Sequence, residues 1–364
     1  MNISFLPFVL LMVLLLSCQQ QERTNNNDAE IIQISKKEIR DEIDVGKMVE
    51  EVRYVELETT EESLIGNVSK VIAYKDKIYI KDRFVASKIY IFDATGRFIT
   101  TVSSTGKGPG EYMSLEDIAI DSYKDELLVN DTANKKILVF DLEGEFLREF
   151  KIPYWASNIY ALRESYLFNL YQEELDHNLL LMDKESLEIR KDMFFPTVLG
   201  RDGVGLNAPF FEYSTEVLFT FSLIDEIYNI TDIEAGNIRT KYILDFKEVP
   251  PIEAIINKEN MEVYEFLTSS DYCYHPFLIN ETDRWVMFNF MLGDKKKFAF
   301  YDKHEKHIHL SDSVINNLDG RPFSMPLFYT GDELISVLYA YEVEGRDDKL
   351  NPLLAFYKFK DVHQ

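Results

Sequence analysis

Two stretches of this chain align almost residue for residue, and that repeat limits its fold more than any other feature. The first runs Lys75-Asp76-Lys77-Ile78-Tyr79-Ile80-Lys81-Asp82, then a loop, then Ile89-Tyr90-Ile91-Phe92-Asp93-Ala94-Thr95-Gly96-Arg97-Phe98. The second runs Lys124-Asp125-Glu126-Leu127-Leu128-Val129-Asn130-Asp131, a loop, then Ile137-Leu138-Val139-Phe140-Asp141-Leu142-Glu143-Gly144-Glu145-Phe146. Each unit reads as an apolar strand, a Lys-Asp turn, a second strand, a polar loop, a third strand, an Asp-x-x-Gly turn and an outer strand. Gly96 and Gly144 supply the positive φ that a tight hairpin between the third and fourth strands needs. A four-stranded antiparallel sheet cannot bury both its faces alone, and a spacing of about 48 residues is that of propeller blades stacked around an axis.

Fainter copies follow, at about Ala156 to Pro196, Pro209 to Phe246, Asp271 to Leu310 and from Phe323 onward, which predicts six blades. In the fifth, Lys297-Phe298-Ala299-Phe300-Tyr301-Asp302 repeats the Phe-Asp pattern. The last unit ends with Leu353-Leu354-Ala355-Phe356-Tyr357-Lys358 and lacks an outer strand. Val52-Arg53-Tyr54-Val55-Glu56-Leu57, ahead of the first blade, alternates like a half-buried strand and is expected to complete the last blade and close the ring. Pro250-Pro251 followed by Ile252, Ile255, Ile256, Val263, Tyr264 and Leu267 predicts a short amphipathic helix between the fourth and fifth blades. The fold class is therefore all-β, a six-bladed propeller of four-stranded antiparallel blades over residues 46–364.

The N-terminus carries a different signal. Ile3 to Leu16 is too short an apolar run to span a bilayer as a mature helix, and it ends in Leu15-Leu16-Ser17-Cys18, a lipobox. This divides the chain into a signal peptide (1–17), a lipidated Cys18 with a flexible tether (18–45) and the propeller. Met1-Asn2 departs from the usual pattern, lacking Lys and Arg. Gln19 is not the Asp associated with inner-membrane retention, so the expected location is the outer membrane, facing the periplasm or the exterior. Gln19 to Asp28 is polar throughout and has nothing to bury. With Cys18 acylated, Cys273 has no disulfide partner and reads as a small buried residue. A formal net charge of -24 argues against nucleic-acid and polyanionic partners, because phosphate neutralisation needs clustered Lys and Arg.

Gly106-Lys107-Gly108-Pro109-Gly110-Glu111-Tyr112, Glu116-Asp117-Ile118-Ala119-Ile120-Asp121, Asp131-Thr132-Ala133-Asn134-Lys135-Lys136-Ile137 and Val139-Phe140-Asp141 together resemble the NHL repeat. More closely, with the lipobox, they resemble the six-bladed β-propeller lipoproteins of Gram-negative gut anaerobes. The resemblance extends over roughly residues 46 to 364 and is sharpest in the first two blades. It implies fold and export, and it carries over no catalytic residues.

Propeller ligands sit at the mouth of the central channel, and the candidate residues are those expected near it. Lys107, Glu111 and Tyr112 lie in the glycine-rich loop, which reads either as a ligand loop or, preferably, as a rigid linker bracing two blades. Trp155 and Tyr171 offer stacking surface for a sugar or peptide. His275, on a predicted innermost strand, could meet a ligand or satisfy a core hydrogen bond. His304, His307 and His309 fall on the outer hairpin of the fifth blade, far from the channel. No cofactor is expected, and the primary reading is a binding or scaffolding module for a peptide, glycan or partner protein. The alternative is a calcium-dependent hydrolase or lactonase with Glu116, Asp117, Asn158 and Glu212 as ligands in the channel. No Gly-x-Ser-x-Gly elbow, phosphate loop or zinc-helix motif is present.

Overall fold

The computed structural model describes residues 28–103, 105–170, 179–193, 210–213, 216–220, 223–232, 237–255, 258–331 and 333–360. They form six sheets, one per blade, and the chain is a six-bladed β-propeller. Blade one runs through Lys70–Tyr74, Lys77–Asp82, Lys88–Asp93 and Phe98–Val102. Blade two follows with Asp117–Asp121, Glu126–Asp131, Lys136–Asp141 and Phe146–Lys151. Blade three spans Ala156–Ala161 to Ile189–Met193, blade four Phe211–Tyr213 to Asn237–Phe246, and blade five Cys273–Glu281 to His307–Ile315. Blade six contributes three strands, Phe328–Thr330, Glu333–Leu338 and Leu353–Phe359.

The fourth strand of blade six comes from the other end of the chain. Three N-terminal strands precede blade one: β1 (Glu30–Ile34), β2 (Ile39–Asp44) and β3 (Val49–Glu56). β3 pairs antiparallel with Leu353–Phe359, placing Val55 opposite Leu354 and Val52 opposite Tyr357. The ring is thus closed by the segment that alternates in the sequence.

β1 and β2 were not foreseen. Residues 30–44, assigned by composition to the tether, add parallel strands to the outer edges of blades four and five, with Ile32 opposite Leu244 and Ile43 opposite Val314. The reason is burial: Ile32, Ile34 and Val45 are fully enclosed among residues of blades four, five and six. Three successive blades therefore carry an N-terminal strap, and the polar stretch that suits a tether stops near Asp28.

The core follows the ring. Six apolar clusters fill the six inter-blade seams, exemplified by Tyr79, Ile91, Leu127 and Leu138 between blades one and two. Pro250-Pro251 does not open a helix directly. A 3-10 turn at Ile252–Ala254 comes first, and helix α1 (Asn260–Thr268) begins later, where Glu259 and Glu262 form a reciprocal cap. Val263 and Leu267 of α1 pack on Ile255 and Tyr274.

In an antiparallel meander, the links from each outer strand to the next blade emerge at the same end as the loops joining second and third strands. This linker end carries the Gly106 to Tyr112 loop, Trp155 and α1.

Candidate functional site

At the linker end of blades one to three, charged and amide side chains meet in one layer. The register makes the layer visible. Lys70 pairs with Lys81 in blade one, Asp117 with Asn130 in blade two, and Asn158 with Asn169 in blade three. Each pair joins the first strand to the second at the same height. The fifth position of the second strand is polar and buried in four blades, at Lys81, Asn130, Asn169 and Asn289, and buried Thr220 follows directly on the blade-four strand Glu216–Phe219.

The layer is wired across the blades. Lys70 Nζ lies 3.0 Å from both Asp117 oxygens, and Lys81 Nζ approaches Asp117 at 3.3 Å while donating to the Glu116 carbonyl at 2.7 Å. Arg83 pairs with Glu116 at 2.6 Å. The amide N–H of Ile159, in blade three, donates to Asp117 at 3.2 Å. Burial by itself raises the Asp117 carboxyl pKa, yet Lys70 and Lys81 outweigh it and hold the group below the usual carboxylate range. Burial likewise lowers the Lys81 ammonium, with Asp117 opposing.

Three of the sequence candidates, Glu116, Asp117 and Asn158, are therefore brought together, but the two carboxylates are already engaged by three cations of this chain. The calcium expectation needs several free oxygens converging on one point. Among the described residues no group of three His, Cys, Asp or Glu side chains is placed to hold a metal. Glu212 belongs to the first strand of blade four, and its side chain lies outside the described part. Tyr171 and Cys18 also lie outside the described residues.

The glycine-rich loop takes the linker role. Glu111 turns back to accept from the Gly108 N–H at 2.9 Å. Tyr112 is fully buried, its hydroxyl donating to the Ser87 carbonyl at 2.7 Å, so burial removes it from the ligand candidates. Lys107 is exposed at the tip of the loop. His275 is buried, stacks on Phe277 at 5.1 Å and has φ +54°, and burial lowers its pKa to about 4. This fits the core role better than a channel-facing one. Cys273 is buried and free, its thiol pushed up to about 11 by burial. His307 and His309 sit on the outer strand of blade five, 4.8 Å apart.

Around the layer, the linker end exposes large apolar side chains that sequence reasoning mostly missed. Phe84 and Val85, in the loop after the second strand of blade one, are 73% and 69% exposed. Tyr341, in the equivalent loop of blade six, is 74% exposed and stacks on Tyr339 at 5.7 Å. Leu64 and Met113 are exposed on neighbouring linkers. Trp155, which the sequence did single out, is 55% exposed and lies under Lys135 Nζ at 3.8 Å. An open cleft of about 350 Å³ lies elsewhere, at the seam of blades six and one. Its two arginines already face acidic partners, Arg97 with Asp93 and Arg346 with Glu56.

Two solved structures share the fold. One is a protein of Bacteroides fragilis described as exported, 19% identical, with 91% of this chain and 100% of the other covered and a TM-score of 0.74. The second is a member of the DUF4221 family from Bacteroides vulgatus, 13% identical, with 86% and 97% covered and a TM-score of 0.56. The family described as Domain of unknown function (DUF4934) matches residues 29–359, from the start of the strap to the last strand of blade six, and the chain belongs to that family.

Proposed function

We propose that the protein is an exported, lipid-anchored binding module whose ligand, a peptide, glycan or partner protein, rests across the linker end of the channel. One observation carries this reading: Phe84, Val85, Met113, Trp155 and Tyr341 are exposed at the end of the ring that holds the buried polar layer. Exposed apolar surface of this kind marks an interaction site, and aromatic rings anchor sugars and peptides at low entropic cost. Export is supported by the lipobox at Cys18 and by the relative described as exported. Among the described residues no helix is long and apolar enough to cross a membrane. A tether from Cys18 would join the ring on its outer wall, where β1 begins, and leave the linker end clear for a ligand.

The test is binding of the purified chain to arrays of defined peptides and glycans. A bound class that loses at least tenfold in affinity with Trp155→Ala or Phe84→Ser, and keeps it with Leu147→Ala on the outer strand of blade two, supports the proposal. Binding that ignores the first two substitutions contradicts it. Cys18→Ala should release the protein from the membrane fraction or leave it unprocessed, and unchanged fractionation would remove the anchor from the account.

A further inference from the structure

We infer that the linker-end loops of blades six and one hold a cationic segment of a partner protein, in which lysine or arginine is interspersed with apolar side chains. The inference rests on the binding-module reading and names its partner.

The apolar side chains exposed on these loops form one continuous row. Tyr341 stacks on Tyr339 at 5.7 Å, and the Tyr339 hydroxyl accepts from the Val68 N–H at 3.2 Å. Two residues earlier, Gly66 lies against Val85, so closely that a Cβ there would run into the Val85 side chain. Asp82 fastens the two segments together, accepting from the N–H groups of Gly66 and Asn67 on one side and of Val85 and Ala86 on the other. Leu64 and Phe84, close to these in the chain, are exposed as well.

The same loops set the charge of the surface. Asn351 ties the blade-six loop to the linker that enters blade one. Its Nδ2 donates to the carbonyls of Glu58 and Ser63 at 2.8 and 2.9 Å, and its Oδ1 accepts from the Ile65 N–H at 2.9 Å. On the two segments so joined, Glu61, Glu62, Glu342, Glu344, Asp347 and Asp348 are all exposed, and none makes an ion pair among the described residues. Residues 57–69 and 339–352 carry two cations: Arg346 is taken by Glu56 at 3.2 Å, and Lys349 is exposed. Arg83, beside Phe84, is taken by Glu116 at 2.6 Å.

These features select the occupant. Six carboxylates against one exposed cation repel acidic glycans and anionic lipid headgroups, and a neutral glycan leaves them unanswered. A small amine reaches one carboxylate and covers none of the apolar row. A polypeptide segment with both kinds of side chain does both. Its apolar residues lie along Leu64 and Val85, its cations face the carboxylates, and an ammonium or guanidinium takes the face of Tyr341 that Tyr339 leaves open.

Fluorescence anisotropy with the full purified chain tests this. The probe is a labelled peptide of lysine and leucine interspersed among serine, compared with one whose lysines are replaced by glutamate and one whose leucines are replaced by serine. The lysine-leucine peptide is expected to bind at least tenfold more tightly than either counterpart. Its affinity should fall at least fivefold when Glu61→Gln and Glu62→Gln are combined, and likewise with Tyr341→Ser. Removing the same charge elsewhere, with Glu145→Gln and Glu188→Gln on the outer hairpins of blades two and three, should leave it within twofold. All five positions are exposed, so the variants keep the fold. Equal losses in the two double variants, unchanged binding in Tyr341→Ser, or no preference over either counterpart would overturn the inference. Array binding of a neutral glycan that depends on Trp155, with the lysine-leucine peptide ignored, would sink this inference alone and leave the binding-module reading standing.

Discussion

Lys81 and Asn130 hold the same register position in successive blades and make the same bond: each donates to a backbone carbonyl at the start of the next blade. Lys81 Nζ reaches the Glu116 carbonyl at 2.7 Å, and Asn130 Nδ2 reaches that of Ala156 at 2.8 Å. These side chains clamp three blades together beneath the mouth. Lys81→Met also removes one of the two lysines on buried Asp117 and should cost about 3 kcal/mol. Asn130→Ala should cost about 1–2 kcal/mol. Urea unfolding midpoints, with unchanged m values, would measure both.

The hairpin glycines are not equivalent despite their matching motifs. Gly96 has φ +89° and Gly144 φ +91°, so a side chain strains either turn. A Cβ on Gly96, however, would lie 2.0 Å from the Glu56 carbonyl oxygen of β3, whereas one on Gly144 would meet side chains, those of Val102, Ile91 and Thr100 at 3.0, 3.2 and 3.8 Å. Gly144→Ala should therefore cost about 1–2 kcal/mol, and Gly96→Ala clearly more, because backbone in the strand that closes the ring has to move. Thermal unfolding of the two variants side by side would show the order.

His275 gives the fold an acid-sensitive group. Its pKa falls from 6.5 to about 4 on folding because burial disfavours the imidazolium. Between those values the unfolded chain binds the proton and the folded chain does not, so stability falls as pH drops from 6.5 to about 4, by roughly 3 kcal/mol, and this contribution is flat below that. His275→Asn tolerates the positive φ and should flatten this segment of the stability curve relative to the native protein. Equal slopes for the two proteins between pH 6.5 and 4 would count against the assignment.

The strap should matter to the whole ring. Ile34 is fully buried in the seam of blades four and five, and Ile34→Ala should destabilise by about 3 kcal/mol. Ile31, on the opposite side of β1, is 57% exposed, and Ile31→Ala should change little. Hydrogen exchange would show the Ile34 effect in blades four and five as well as in β1.

The propeller was legible because its first two blades place Gly at the left-handed turn position after Asp93 and Asp141. In blades three and five the turn is one residue longer, and its left-handed position falls to Leu187 and Lys306, four residues after Asp183 and Asp302, at φ +58° and +53°, so the glycine signal fades. The aspartate half of the motif persists: Asp183 accepts from Glu185 and Ser186, and Asp302 from His304 and Glu305. β1 and β2 were illegible for a different reason. A short strand added parallel to an existing edge needs no hairpin, and the alternation in Glu30-Ile31-Ile32-Gln33-Ile34 is too brief to stand out beside a polar leader. At the site, Glu116, Asp117 and Asn158 could be found from their place at the start of inner strands. Their partners Lys70, Lys81 and Arg83 could not, because the pairing depends on register between separate blades. Tyr112 follows the preferred linker reading of its loop, buried in the seam of blades one and two with its hydroxyl donating to the Ser87 carbonyl.

The claim that the linker end is the binding surface is tested most directly by photo-crosslinking in the native host. A photoreactive residue is placed singly at Tyr341, Trp155, Leu147 and Ile99, the last two on outer strands. The account predicts adducts of one common mass from Tyr341 and Trp155 and none of that mass from Leu147 or Ile99. A common adduct from the outer-strand positions, with Tyr341 and Trp155 silent, would contradict it.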